Sequence, residues 1–143
     1  MGDKKSNLEI AINQISKFST VNKISSIYES DPILFEDQPK FFNLVLEINY
    51  KKTVNELLKT IKDVEKIMGR KRNLKYGPRI IDIDIVFFNN QIINSKDLVV
   101  PHYDWSNRIF VVEPLCELFK EFSIQDYKLD VQKISKVGRV NIN

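Results

Sequence analysis

The run Ile80-Ile81-Asp82-Ile83-Asp84-Ile85-Val86-Phe87-Phe88 constrains this chain more than any other stretch. Ile81, Ile83, Ile85 and Phe87 alternate as one apolar face, the period-two pattern of a half-buried strand over residues 80–88. Asp82 and Asp84 then share the opposite face, between Ile80 and Val86. Side chains two apart on a strand are separated by roughly 6.5–7 Å along it. Two carboxylates so placed can converge on one or two hard cations, which lie roughly 3.5–4 Å apart in two-metal sites. The plain alternative is a solvated face that happens to carry two acids. Aspartate is depleted in strands and like charges on one face repel, so threonine or lysine would serve solubility better. The pair reads as a magnesium site.

Positive charge sits just upstream. Arg70, Lys71, Arg72, Lys75 and Arg79 crowd one short stretch, although the formal net charge of the chain is only +3. Taken alone, Gly69-Arg70-Lys71-Arg72 is a helix end followed by exposed basic residues. Beside two metal-binding acids, the same arginines become candidates for gripping phosphate oxygens, which is the electrostatic arrangement of phosphoryl transfer. A Walker lysine loop and a Gly-x-Gly-x-x-Gly motif are both absent, which excludes the common nucleotide-binding loops. His102 stands at an expected helix entrance, where it can donate to a phosphate, although a lone histidine is more often structural.

The rest of the chain reads as one α+β domain spanning residues 1–143. Its 143 residues, 43% of them hydrophobic and 29% charged, are those of an ordinary globular protein. The one cysteine, Cys116, excludes an internal disulfide and a cysteine metal cage, and a reducing cytoplasm is expected. Leu8, Ala11, Ile12, Ile15 and Phe18 recur at helical spacing, with Asp3 or Ser6 as N-cap. Residues 24–29 read as extended, residues 30–40 as a long loop, and residues 41–50 as one strand with Phe42, Leu44, Leu46, Ile48 and Tyr50 on its apolar face. Thr53-Val54-Asn55-Glu56 is a capping box opening a helix that buries Leu57, Leu58, Ile61, Val64 and Met68, with Gly69 placed to end it. A helix is expected over residues 105–112, led by Asp104, with Pro114 kinking or restarting the chain before Leu115 and Leu118. A last short helix is expected over residues 129–137, stopped by Gly138.

Tyr76-Gly77-Pro78-Arg79-Ile80-Ile81-Asp82-Ile83-Asp84-Ile85 resembles the signature of the 6-hydroxymethyl-7,8-dihydropterin pyrophosphokinase family. Val100-Pro101-His102-Tyr103-Asp104, followed by Asn107-Arg108 and Phe110, is similar to that family's second block. Asp37-Gln38-Pro39 with Phe41 and Asn43 resembles its pterin-side strand. The likeness runs from about residue 2 to residue 118. It implies transfer of the terminal diphosphate of ATP to the hydroxymethyl group of a reduced pterin, with release of AMP, in folate biosynthesis. It implies that Asp82 and Asp84 ligate two Mg²⁺ ions and that Arg70, Arg72 and Arg79 stabilise the phosphates. Glu65, Ile85, His102, Tyr103 and Arg108 would meet the nucleotide. Ser30, Ile33, Phe41, Asn43, Tyr76, Asp82 and Phe110 would meet the pterin, and residues 30–40 and 69–76 would act as lids that exclude water. The implied architecture is a ferredoxin-like α/β sandwich with an antiparallel sheet. Here it lacks the family's first strand and its Gly-Ser-Asn turn, because Met1-Gly2-Asp3 joins just after that turn. Tyr76 stands where the family commonly has tryptophan.

ATP and a reduced pterin are the expected partners of a monomer that engages neither nucleic acid nor membrane. Paired strand aspartates also serve nucleotidyltransferases, which release pyrophosphate. A relative that binds nucleotide or pterin without turnover is a third reading. RNA binding finds little support, since no strand interleaves an aromatic pair with basic residues.

Overall fold

The computed structural model describes residues 3–30, 41–71, 81–127, 129 and 134–142, with the side chains of Arg70 and Lys71 left aside. Its elements run α1 (Lys4–Ile15), β1 (Thr20–Ile24), β2 (Ile27–Ser30), β3 (Phe41–Asn43), β4 (Leu46–Asn49), α2 (Val54–Lys71), β5 (Ile93–Asn94), β6 (Val99–Val100), α3 (Ile109–Leu118) and β7 (Ile134–Gly138). Short 3₁₀ turns at Trp105–Asn107 and Ile124–Asp126 flank α3. Helices and small antiparallel sheets make this an α+β protein. β1 pairs with β4, β2 lies between β3 and β7, and β5 pairs with β6. None of the helices is long and apolar enough to cross a membrane, among the described residues.

The chain divides into two compact units, one of Met1–Val21, Ile48–Tyr103 and Ile142–Asn143, the other of Asn22–Glu47 and Asp104–Asn141. In the first unit the Asp3 carboxylate caps α1 by accepting from the Lys5 and Ser6 amides. The helix buries Leu8, Ala11, Ile12 and Ile15 as its spacing predicts. The Glu56 amide donates to Thr53 Oγ1 at 3.2 Å, so the expected cap opens α2. That helix buries Leu57, Ile61, Val64 and Met68, while Leu58 is half-buried. It does not stop at Gly69 but continues to Lys71. Glycine costs a helix only about 1 kcal/mol relative to alanine, which a well-packed stripe outweighs.

In the second unit β2 is the central strand, with Ile27, Tyr28 and Ser30 buried. Its partners are β3, with Tyr28 opposite Asn43 and Ser30 opposite Phe41, and β7, with Ser30 opposite Ile134. Val112, Pro114 and Leu115 on α3 are also buried.

Several expectations need correction. Residues 41–50 form two strands rather than one. At the break the fully buried Ser25 exchanges hydrogen bonds with Val45: Ser25 N–H donates to Val45 O, and Val45 N–H donates to Ser25 Oγ, both at 2.9 Å. Pairing with a side chain in place of a backbone carbonyl interrupts the ladder there. The helix expected over residues 105–112 is a 3₁₀ turn followed by α3, which starts at Ile109 and runs on through Pro114 to Leu118. Of the helix expected over 129–137, residues 130–133 lie outside the described residues, and residues 134–137 belong to β7 instead, because β2 offers an edge whose ladder β-branched Ile134 and Val137 suit.

Gly138 sits at a register shift opposite Ile27, with φ of 150°, a conformation that glycine alone adopts readily. Nothing lies within 4 Å of where a Cβ would be, so conformation and not space selects the residue. Gly138→Ala is therefore expected to destabilise the protein by about 1–3 kcal/mol. Urea unfolding checks this: the midpoint should fall with the slope unchanged.

Candidate functional site

The aspartate segment belongs to the first unit. Burial alternates through Ile81, Asp82, Ile83, Asp84 and Ile85, with both aspartates exposed and the isoleucines half-buried. Ile81 and Ile83 pack against a cluster of Ala11, Val64 and Met68. Ile85 packs against a second cluster of Val54, Leu98 and Val100, joined there by Phe88. The alternation then breaks: Phe87, expected in the core, is 39% exposed. Nor do residues 81–88 join a strand ladder among the described residues, so the expected strand is a correction too. Period-two spacing specifies which way side chains face, whereas a strand also needs a neighbouring edge.

Two hydrogen bonds pin this backbone. Ile83 N–H donates to Glu65 Oε2 at 2.9 Å, and His102 N–H donates to Val86 O at 2.9 Å. Glu65, whose side chain is 13% exposed, also faces Lys62 Nζ at 3.7 Å. The His102 ring stacks on Tyr103, with centroids 4.9 Å apart and planes at 20°, and Tyr103 is 76% exposed. His102, Tyr103, Glu65, Ile85 and both aspartates therefore all lie in one unit.

The second unit carries Ser30, Phe41, Asn43, Arg108 and Phe110. Phe41, at 49% exposure, presents its ring away from the core, as the face assignment expects. Asn43 stands two residues along β3, and β3 pairs with β2 through Tyr28 and Ser30. Ser30 is buried, and its Oγ has no hydrogen-bond partner among the described residues. A buried hydroxyl left in that state calls for a physical explanation such as a ligand. Asp104 does not cap a helix with its side chain. It accepts from Asn107 Nδ2 at 2.9 Å and from Arg108 Nε at 3.2 Å, which orients the Arg108 guanidinium 5.6 Å from the Phe110 ring centroid.

Ile33, Arg72, Tyr76 and Arg79, together with most of the two expected lids, lie outside the described residues, and so does the Arg70 side chain. A feature the sequence did not announce is Glu117 on α3, whose side chain is only 19% exposed. Its carboxylate accepts from Ser26 N–H at 3.0 and 3.1 Å, Ser26 Oγ at 3.2 Å, Tyr28 Oη at 2.7 Å and Arg139 Nη1 at 3.3 Å. Burial, then the carboxylates of Glu113 and Asp126, push the Cys116 thiol pKa up.

A profile of the 7,8-dihydro-6-hydroxymethylpterin-pyrophosphokinase (HPPK) family matches residues 1–120. The chain belongs to the HPPK family. A 2-amino-4-hydroxy-6-hydroxymethyldihydropteridine pyrophosphokinase of Aquifex aeolicus is 43% identical over 118 residues, covering 82% of this chain and 74% of the relative. The protein of that name in Bacillus subtilis is 38% identical over 123 residues, covering 85% and 74%. The one in Haemophilus influenzae is 32% identical over 131 residues, covering 90% and 82%. The HPPK match ends at residue 120, so β7 and Arg139 lie beyond it.

The donor set fits the magnesium that the HPPK family implies. Asp82 and Asp84 supply hard oxygen ligands on an exposed side, and no group of three or more His, Cys, Asp or Glu residues converges among the described residues. Mg²⁺ is typically held by one or two carboxylates, with water and substrate phosphates completing its shell.

Proposed function

We infer that this protein transfers diphosphate from ATP to the hydroxymethyl group of 6-hydroxymethyl-7,8-dihydropterin in folate biosynthesis, releasing AMP. The observation that carries this reading is the exposed carboxylate pair, held on an alternating segment inside the family's signature. The hydroxymethyl oxygen forms a bond to the β-phosphorus, the bond from that phosphorus to the α,β-bridging oxygen breaks, and the hydroxyl proton is lost.

Asp82 and Asp84 hold the magnesium, read here as two ions, and Asp82 also borders the pterin. When bound, magnesium neutralises charge on the phosphate oxygens and lowers the barrier to attack. Arg70, Arg72 and Arg79 add fixed positive charge to the same phosphates. His102 and Tyr103 offer a stacked aromatic pair to the nucleotide, with Ile85 and the Asp104-oriented Arg108 as further contacts. Phe41 and Phe110 flank the pterin ring, Asn43 bonds its amide edge, and Ser30, Ile33 and Tyr76 complete its surroundings. A flat heteroaromatic ligand is held well by aromatic walls and a few placed polar groups. The exposed Phe41 and the buried Ser30 hydroxyl, which has no partner among the described residues, both support this reading.

The same reading takes the chain as one domain with a ferredoxin-like sandwich, acting as a monomer in the cytoplasm. Support for the sandwich comes from the antiparallel pairings of β2 with β3 and β7 and from the strand-like alternation of residues 81–85.

Incubation with ATP, the hydroxymethyl pterin and Mg²⁺, followed by chromatography of the spent nucleotide, tests the proposal. AMP formed in step with pterin consumption is expected. Pyrophosphate release with the pterin untouched would instead mark a nucleotidyltransferase, and unchanged ATP would mark a binding relative without turnover.

A further inference from the structure

We propose that Glu65 is a positioning residue that sets the direction of the Asp82 and Asp84 carboxylates by holding the Ile83 amide between them. The inference rests on the reading that these aspartates hold magnesium, and it adds a role for a residue on a different element, α2.

The aspartate segment has no ladder among the described residues to fix its peptide planes. Ile81 and Ile83 seat it on α1 and α2 through apolar contact with Ala11, Val64 and Met68. Such contact is non-directional: it fixes how deeply the isoleucines sit but leaves the backbone free to rock about them. A hydrogen bond is directional, and one from an amide to a carboxylate is roughly twice as strong as a neutral one. The 2.9 Å bond from Ile83 N–H to Glu65 Oε2 therefore fixes the peptide plane that joins Asp82 to Ile83. Rocking of that plane would swing both flanking carboxylates away from a shared cation. Asp84 has no competing partner of its own among the described residues to orient it.

Glu65 is suited to this task. It directly follows the buried Val64 on α2, and its side chain is mostly covered, whereas Lys62 opposite its other oxygen is 58% exposed. An ion pair at 3.7 Å to so exposed an ammonium contributes little, so the amide is the main compensation for covering the carboxylate. The arrangement resembles the outer groups of metal sites, which aim the ligands without touching the ion and whose loss typically costs about 10–100-fold in metal affinity.

The test uses the ¹⁵N-labelled full chain with Glu65→Ala and Glu65→Gln. Hydrogen exchange of the Ile83 amide is read first, without metal or nucleotide. Magnesium half-saturation is then read from the Asp82 and Asp84 amide shifts in the presence of a non-hydrolysable ATP analogue. In E65A, Ile83 protection should fall about tenfold while the Ile61 and Val64 amides of α2 keep theirs. The magnesium concentration at half-saturation should rise about tenfold. E65Q should recover most of both, because its amide oxygen accepts the same hydrogen bond. Unchanged Ile83 protection in E65A would overturn the proposal. So would an E65Q as impaired as E65A, since that pattern assigns the carboxylate's charge to a ligand. The exchange experiment contains no substrate, so its outcome is independent of whether the wild-type chain produces AMP.

Discussion

Asp82→Ala is expected to lower AMP formation on the order of 10³-fold while leaving the unfolding free energy within about 0.5 kcal/mol of wild type. The two halves of this expectation come from different observations. Asp82 is exposed, and Ile81, Ile83, Ile85 and the hydrogen bonds at the Ile83 amide and the Val86 carbonyl anchor its segment through other groups. Removing it should not disturb the fold. Its chemistry, by contrast, cannot be supplied by Asp84 alone. With no third acid or histidine grouped nearby among the described residues, loss of one carboxylate halves the ligand set proposed for magnesium. Asp84→Ala should behave alike, because both carboxylates lie on the exposed side and share the proposed metal role. Thermal unfolding alongside chromatographic assay of AMP separates the effects. Undiminished turnover in D82A would sink the metal assignment, whatever happened to the melting curve.

The features that proved legible from sequence were those set by local periodicity and local chemistry. The α1 and α2 stripes, the Thr53 cap and the exposure of Asp82 and Asp84 all follow from spacing over a few residues. Failures arose where a distant neighbour decides. Residues 129–137 carry Leu129 and Val131 at spacings that also suit a helix, and the β2 edge that claims Ile134–Gly138 is more than a hundred residues away. The break between β3 and β4 depends on Ser25, about twenty residues upstream. Phe87 continues the alternation of Ile81, Ile83 and Ile85 by sequence alone, but Phe88 packs into the Val54, Leu98 and Val100 cluster instead.

The site divides in the same way. Aspartates, a histidine beside a tyrosine, and an exposed phenylalanine on a strand can be recognised as residue types in a pattern. The Glu65 bond to Ile83 cannot, because its only trace in the sequence is an acid beside the buried stripe of α2. The Glu117 network is similarly silent. Its donors come from Ser26, Tyr28 and Arg139, segments with no local relation to α3.

Glu117→Ala is the substitution expected to cost most in stability, about 3 kcal/mol, by stranding buried donors. Tyr28 and Ser26 are 4% and 3% exposed, so without the carboxylate the phenol hydroxyl, the Ser26 amide and the Ser26 hydroxyl lose their acceptor with little access to water. Arg139 matters less, because its side chain is 62% exposed. The pH dependence has a definite sign. Burial by itself raises the Glu117 pKa, but hydrogen bonds from Tyr28 and Ser26, with the charge of Lys136, outweigh it and leave the pKa below the ordinary carboxylate value. A depressed folded pKa means that the contribution is fully present above the unfolded value, about 4.3 for glutamate, and is lost as pH falls through the lower folded value. Tyr28 bounds the other side. Burial first, then the Glu117 hydrogen bond and charge, raise its pKa, so its contribution is complete below about pH 10 and is lost as pH rises through the raised folded value. Denaturant titrations across pH should therefore show a plateau with an acid limb and an alkaline limb. Glu117→Gln should flatten the acid limb, since an amide does not titrate there. If E117Q kept the wild-type acid limb, another carboxylate would have to account for it, and the network would not be what ties α3 to the Ser26–Tyr28 segment.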